Sequence, residues 1–189
     1  MKKSVFIKYF LPFLEWYLLL ILTTIGIDYF LHRYQMVFVG RYFGFIGTVL
    51  ILVSFIYSLR KRKIIEIGSP KKLLLFHEYI AWIGSILILV HAGIHFNAIL
   101  PWLAVIMLLI NVASGLIGKY ILKKANESLQ EKRIELIRQG LSEIEVQNKL
   151  FWDSITYDVL KKWRAFHYPI ALLFVLLTLL HIITIIIYT

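Results

Sequence analysis

The chain of 189 residues contains no cysteine. That absence excludes disulfides, thiolate-ligated iron–sulfur clusters and covalent haem attachment through C-x-x-C-H. Any iron–sulfur or flavin chemistry must come from a partner. Acidic residues are scarce too: 11 Asp and Glu stand against 21 Lys and Arg, for a net charge of +10. In a soluble protein such an excess would point to nucleic acid. Here the basic residues flank apolar runs, so the charge marks loops at a membrane surface and no nucleic acid is expected. No small-x-small cleavage site follows Met1-Lys2-Lys3, so the first apolar stretch reads as an uncleaved span. No repeat of the whole set of spans recurs along the chain.

Apolar residues are abundant: 60% of the chain is hydrophobic and the mean hydropathy is +0.77. Soluble domains average about 45–50% apolar residues. Five runs reach the length that crosses a hydrocarbon core, about 18–25 residues. They lie at about 12–31, 42–59, 73–96, 99–122 and 165–188. The expected fold is an all-α membrane protein. A bundle of five transmembrane helices forms one domain over 1–189, with a cytoplasmic helical hairpin between helices four and five.

Lys and Arg set the expected orientation. Lys2, Lys3 and Lys8 precede span one, and Arg60, Lys61, Arg62, Lys63, Lys71 and Lys72 lie between spans two and three. Ten more lie from Lys119 to Arg164, whereas the opposite side has only Arg33 and Arg41. The positive-inside rule then puts the N-terminus inside and the C-terminus outside a cytoplasmic membrane.

The loop at about 123–163 carries helical periodicity. Leu129, Ile134, Leu136, Ile137, Leu141, Ile144, Val146 and Leu150 alternate with Glu, Lys and Arg. Gly140 can end one helix, and Ser142 with Glu145 forms a capping box for the next. The apolar side of this hairpin has three candidate seats: the membrane, the bundle or a partner protein.

Ionisable side chains within spans are costly and mark function. Of six histidines, His77, His91, His95, His167 and His181 lie in spans three and five, and His32 ends span one. His77 to His91 is 14 residues, and so is His167 to His181. On an α-helix, 14 residues turn through about 1400°, within roughly 40° of a whole number of turns, and rise about 21 Å. Each pair therefore shares a face. Spans three and five run in the same direction, so His77 is expected level with His167 and His91 level with His181. Two imidazoles at one depth supply both axial ligands of a b-type haem. Two such sites make an electron route across the bilayer, and the closed coordination favours electron transfer over oxygen activation.

Other residues support this arrangement. Gly84, midway between His77 and His91, either admits a macrocycle close to the helix backbone or serves helix packing. Arg164 and Lys162 are candidate propionate partners at the inner site, and Arg41 or Arg33 at the outer one. His95 either replaces His91, joins His32 at a metal or quinone site, or bonds a carbonyl or water. Glu15, Asp28 and Glu78 are candidate proton carriers, while Asn111 and Ser114 suit interhelical hydrogen bonds. Zinc fits poorly, since no Glu follows His91 as in H-E-x-x-H.

The runs H-E-Y-I-A-W-I-G (77–84), V-H-A-G-I-H-F (90–96), A-S-G-L-I-G-K-Y (113–120) and W-R-A-F-H-Y-P (163–169) resemble motifs of bacterial di-haem cytochrome b subunits. These are related to ferric-reductase-like transmembrane proteins. The resemblance covers about residues 73–188. It implies two b haems ligated by His77, His91, His167 and His181, and electron exchange between a quinone pool or soluble donor and a redox partner. Such relatives often have six spans or a fused flavin domain. Five spans and no nucleotide-binding region make this chain a relay subunit. Its expected partners are an iron–sulfur, flavin or multihaem cytochrome protein, docked inside on the hairpin or outside. The alternative is a proton or metal-ion transporter that uses the same histidines.

Overall fold

The computed structural model describes residues 3–94 and 98–188, without the side chains of residues 3–9, 123, 124 and 164. It is 89% helical, and no strand occurs among the described residues. Helix α1 covers Lys3–Arg33, α2 Val39–Ser54, α3 Ile56–Lys61, α4 Pro70–Ile94 and α5 Ile99–Leu116. A π-helical segment, Ile117–Leu122, leads into α6 at Lys123–Arg138, and α7 covers Glu143–Tyr188. Five stretches are long and apolar enough to cross a membrane: Phe10–Arg33, Val39–Lys61, Pro70–Ile94, Ile99–Arg138 and Glu143–Tyr188. The chain is thus an all-α protein of multi-pass membrane type. Large side chains such as Leu22, Ile25 and Ile186 lie on the outer surface. Water would penalise that exposure, and lipid does not.

The last two spans have different ends from those the pattern suggests. A separate hairpin at 123–163 is expected between spans at 99–122 and 165–188. Instead α5 runs through the π-helical segment into α6, and α7 is one helix of 46 residues. The reason is that nothing stops either helix. Between 117 and 138 there is no proline and only Gly118, and between 143 and 188 the sole breaker is Pro169. At Lys161–Arg164 the polarity changes, but Lys, Arg, Leu and Ala all favour helix. Pro169 removes one backbone donor within α7, and the helix continues past it.

Contacts divide the chain into two compact units. One comprises Leu18–Leu109 with Leu173–Thr189, and the other Met1–Tyr17 with Ile110–Leu172. In the first unit α2 and α4 are the closest neighbours. Their backbones meet where neither has a side chain. A Cβ on Gly47 would lie 2.9 Å from the Gly84 carbonyl oxygen, and one on Gly84 would lie 3.1 Å from that of Gly47. Further along, a Cβ on Gly40 would collide with Ile94 Cδ1. Around this crossing Ile51, Ile88, Leu89 and Val90 are buried. Gly47→Val must therefore push the helices apart, at a cost of about 1–3 kcal/mol. Gly26→Ala, where nothing lies within 4 Å, is expected to be neutral. Thermal unfolding in detergent should show a lower Tm for the first substitution only.

In the second unit a tight turn joins α6 to α7. Gly140 adopts φ +82°, its N–H donates to the Ile137 carbonyl (2.9 Å), and the Leu141 N–H donates to that of Leu136 (3.3 Å). That pair of bonds is a Schellman cap, which a left-handed glycine permits. The expected capping box is present: the Ser142 N–H donates to Glu145 Oε2 (2.9 Å) and the Glu145 N–H to Ser142 Oγ (3.4 Å). Arg133 pairs with Glu143 at 3.2 Å, and Lys132 pairs with Asp153. Val146 and Leu150 are buried, while Ile134 and Ile137 remain exposed.

The bonds from the Ser142 backbone and hydroxyl hold the Glu145 carboxyl below its ordinary pKa. A carboxylate with a depressed folded value adds stability above its unfolded pKa and loses it as pH falls through the folded value. Amide-exchange protection at Glu145 and Val146, corrected for intrinsic rates, should therefore drop on acidification below the usual carboxylate range. In Glu145→Gln, which keeps an acceptor oxygen but does not titrate in this range, it should be nearly independent of pH.

Candidate functional site

His77 and His91 lie on α4 and turn their rings toward α2 and its end. His77 Nδ1 is 3.1 Å from the Ser54 carbonyl oxygen, and His91 Nδ1 is 2.9 Å from that of Gly40. A carbonyl oxygen can only accept, so Nδ1 carries the proton in both rings. Nε2 is the nitrogen on the far side of each ring from its carbonyl anchor. Ligating histidines are typically oriented in this way, the other ring N–H being held by a carbonyl or carboxylate.

The two anchors are in register. Gly40 and Ser54 are 14 residues apart, as are His91 and His77, and the order is reversed because α2 and α4 run antiparallel. Each step of four turns along α4 is matched by the same step down α2. Ser54 ends α2, where carbonyls lack an intrahelical donor. Its hydroxyl turns back to the Ile51 carbonyl at 2.6 Å. Tyr57 of α3 covers His77, with ring centroids 5.6 Å apart. His91 lies flat on Gly44: a Cβ there would come within 2.8 Å of the imidazole carbons and 2.9 Å of Nδ1.

His181 belongs to the same unit, is half-buried, and lies within electrostatic reach of His91. Both members of the outer pair of the sequence reading thus fall within one unit. His167 lies in the other unit, where its Nδ1 is 2.7 Å from Ser114 Oγ. Ser114 is fully buried. A Cβ on Gly115 would touch His167 Cε1 at 3.4 Å. The π-helical segment begins two residues later, at Ile117. Such segments occur often at functional sites.

The remaining expected residues are distributed unevenly. The backbone of Gly84 faces Gly47 and the side chain of Ile51, so it serves the α2–α4 contact. Arg41 is exposed and directly follows Gly40, and Lys162 is exposed on α7. His95 and the Arg164 side chain lie outside the described residues. His32 donates from Nδ1 to the Asp28 carbonyl (2.9 Å), and Asp28 Oδ1 lies 3.6 Å from the same nitrogen. A Cβ on Gly93 would lie 3.3 Å from that carboxylate. Asn111 Oδ1 is buried with no hydrogen-bond partner among the described residues. Among the described residues no three His, Cys, Asp or Glu side chains group as a metal site.

The donor set fits haem iron: imidazoles on apolar helix surface, with Nδ1 of His77 and His91 fixed by backbone carbonyls and Nε2 turned away from them. Sequence reasoning missed the part played by α2. Its signal was legible in Gly40, Gly44 and Gly47, spaced i, i+4, i+7 in an apolar span, the pattern that lets helices approach closely. In the haem-free chain, ¹⁵N spectra should show His77 and His91 as the Nδ1–H tautomer. Gly44→Ala should displace the His91 ring and leave a mixture of tautomers there, with His77 unchanged. Compared with protein-family models, curated proteins and solved structures, the chain matches none of them.

Proposed function

We propose that the chain is a membrane cytochrome b subunit, a relay for electrons across the bilayer, with His77, His91, His167 and His181 as ligands of two b haems. The observation that carries this reading is the matched register of His77 and His91 on the Ser54 and Gly40 carbonyls. Two imidazoles on one helix face receive the same orientation four turns apart, which two stacked cofactors require. A haem between two imidazoles supplies one-electron chemistry without an open iron position. The chain's own part is to orient Nε2, to exclude water with apolar helix surface, and to supply cations near the membrane boundaries. Arg41, beside the Gly40 anchor, is the propionate partner at the His91 level, and Lys162 and Arg164 serve the His167 level.

The same reading places the N-terminus inside and the C-terminus outside a cytoplasmic membrane, from the distribution of Lys and Arg. The donor is a quinone or a cytoplasmic protein, and the acceptor a redox subunit carrying iron–sulfur, flavin or multihaem centres. The α6–α7 turn on the basic side offers the exposed Ile134 and Ile137 to such a partner. This family reading rests on the motifs around the four histidines.

A reduced-minus-oxidised spectrum with pyridine haemochrome quantitation tests the relay. About two haems b per chain are expected, falling to about one in His77→Ala and in His181→Ala. A well-folded chain with no Soret band would overturn the proposal and leave the histidines as groups of a metal-ion transporter.

A further inference from the structure

The loop between α3 and α4 combines three features that the electron relay does not use. Its first feature is charge. From Arg60 to Lys72 there are six cations, Arg60, Lys61, Arg62, Lys63, Lys71 and Lys72, against the single acid Glu66. Five of the six are exposed, and Arg60 is half-buried. The second is apolar exposure at the tip: Ile64 is 65% and Ile67 74% exposed, among cations rather than against the helices. The third is a defined conformation. Arg60 Nε donates to the Gly68 carbonyl at 3.2 Å, tying the two ends of the loop together. Ser69 caps α4, accepting from the Lys72 N–H at 3.3 Å.

Lys63 is the telling residue. It adopts φ +60°, and the N–H groups of Lys63 and Ile64 donate to the Arg60 and Leu59 carbonyls at 3.1 and 3.0 Å. These bonds form the helix-ending cap that glycine occupies most easily. A side chain there strains the backbone, so the cation is kept against conformational preference. A loop that only set topology would need positive charge but no conformation.

We infer that this loop is a binding site for anionic phospholipid headgroups, with Ile64 and Ile67 seated at the boundary between headgroups and acyl chains. The loop connects two membrane-crossing stretches, so it lies where headgroups are. Clustered Lys and Arg beside a span attract acidic lipids, each cation being worth about fivefold in affinity. Isoleucines that water would penalise gain an apolar seat at that depth. The site is independent of the haem ligands and stands or falls without them.

The lack of cysteine supplies the test. Ile67→Cys carries the chain's single thiol, which takes an environment-sensitive fluorophore. The labelled full chain is placed in nanodiscs of phosphatidylcholine with rising fractions of phosphatidylglycerol. The expected result is a saturable blue shift, reversed by high salt. Half-saturation should move about fivefold higher in Lys63→Gly, a replacement that relaxes the backbone as it removes the charge. Lys71→Gln should weaken the response similarly. Emission that ignores phosphatidylglycerol would overturn the inference, as would a Lys63→Gly titration identical to the parent. The same shift produced by inorganic phosphate in neutral discs would overturn it in favour of a soluble-anion site.

Discussion

Gly47 and Gly84 put two helix backbones in contact, and the candidate site follows from that distance. With ordinary side chains at the crossing, α2 and α4 would stand further apart. The Gly40 carbonyl would then leave the reach of His91, and the Ser54 carbonyl that of His77. Each histidine would lose the partner that fixes its tautomer. Gly44 extends the same constraint, because the His91 ring occupies the space a Cβ would fill. Packing and chemistry therefore share one cause. The missing side chains bring the backbones together, and the backbones orient the rings.

Ser54 shows how local structure serves the same end. The helical run through Val39–Lys61 is divided at Phe55, so α2 ends at its histidine anchor, Ser54. A carbonyl inside a helix already has a donor four residues on. One at a helix end can accept from elsewhere, and His77 supplies that donor. The division in the second span thus frees an acceptor at the level where α4 presents its first histidine, and brings Tyr57 over the ring.

Much of this was legible in the sequence. The five apolar stretches, the shared face of His77 and His91, the left-handed Gly140 and the Ser142–Glu145 capping box all follow from composition and spacing. They depend on local rules, which a single chain states directly. The ends of the last two spans were not legible, because hydropathy marks where lipid would lie, whereas a helix stops only at a breaker or a cap. Nor was the role of α2. Carbonyls carry no residue letter, so an anchor such as the Gly40 oxygen shows only as a glycine spacing whose partner is still unknown. Ser114, read as an interhelical hydrogen-bonding group, does meet His167, while Asn111 keeps a buried oxygen that no sequence rule anticipates.

The carbonyl anchors also determine what the rings cannot do. A histidine passes a proton along by accepting it on one nitrogen and releasing it from the other. In His77 and His91 Nδ1 is committed to a carbonyl oxygen, which carries no proton of its own to pass onward. A proton arriving at Nε2 would have to leave by the way it came. The two carbonyl contacts that steady the imidazoles therefore also insulate them, closing each ring to proton traffic on its Nδ1 side.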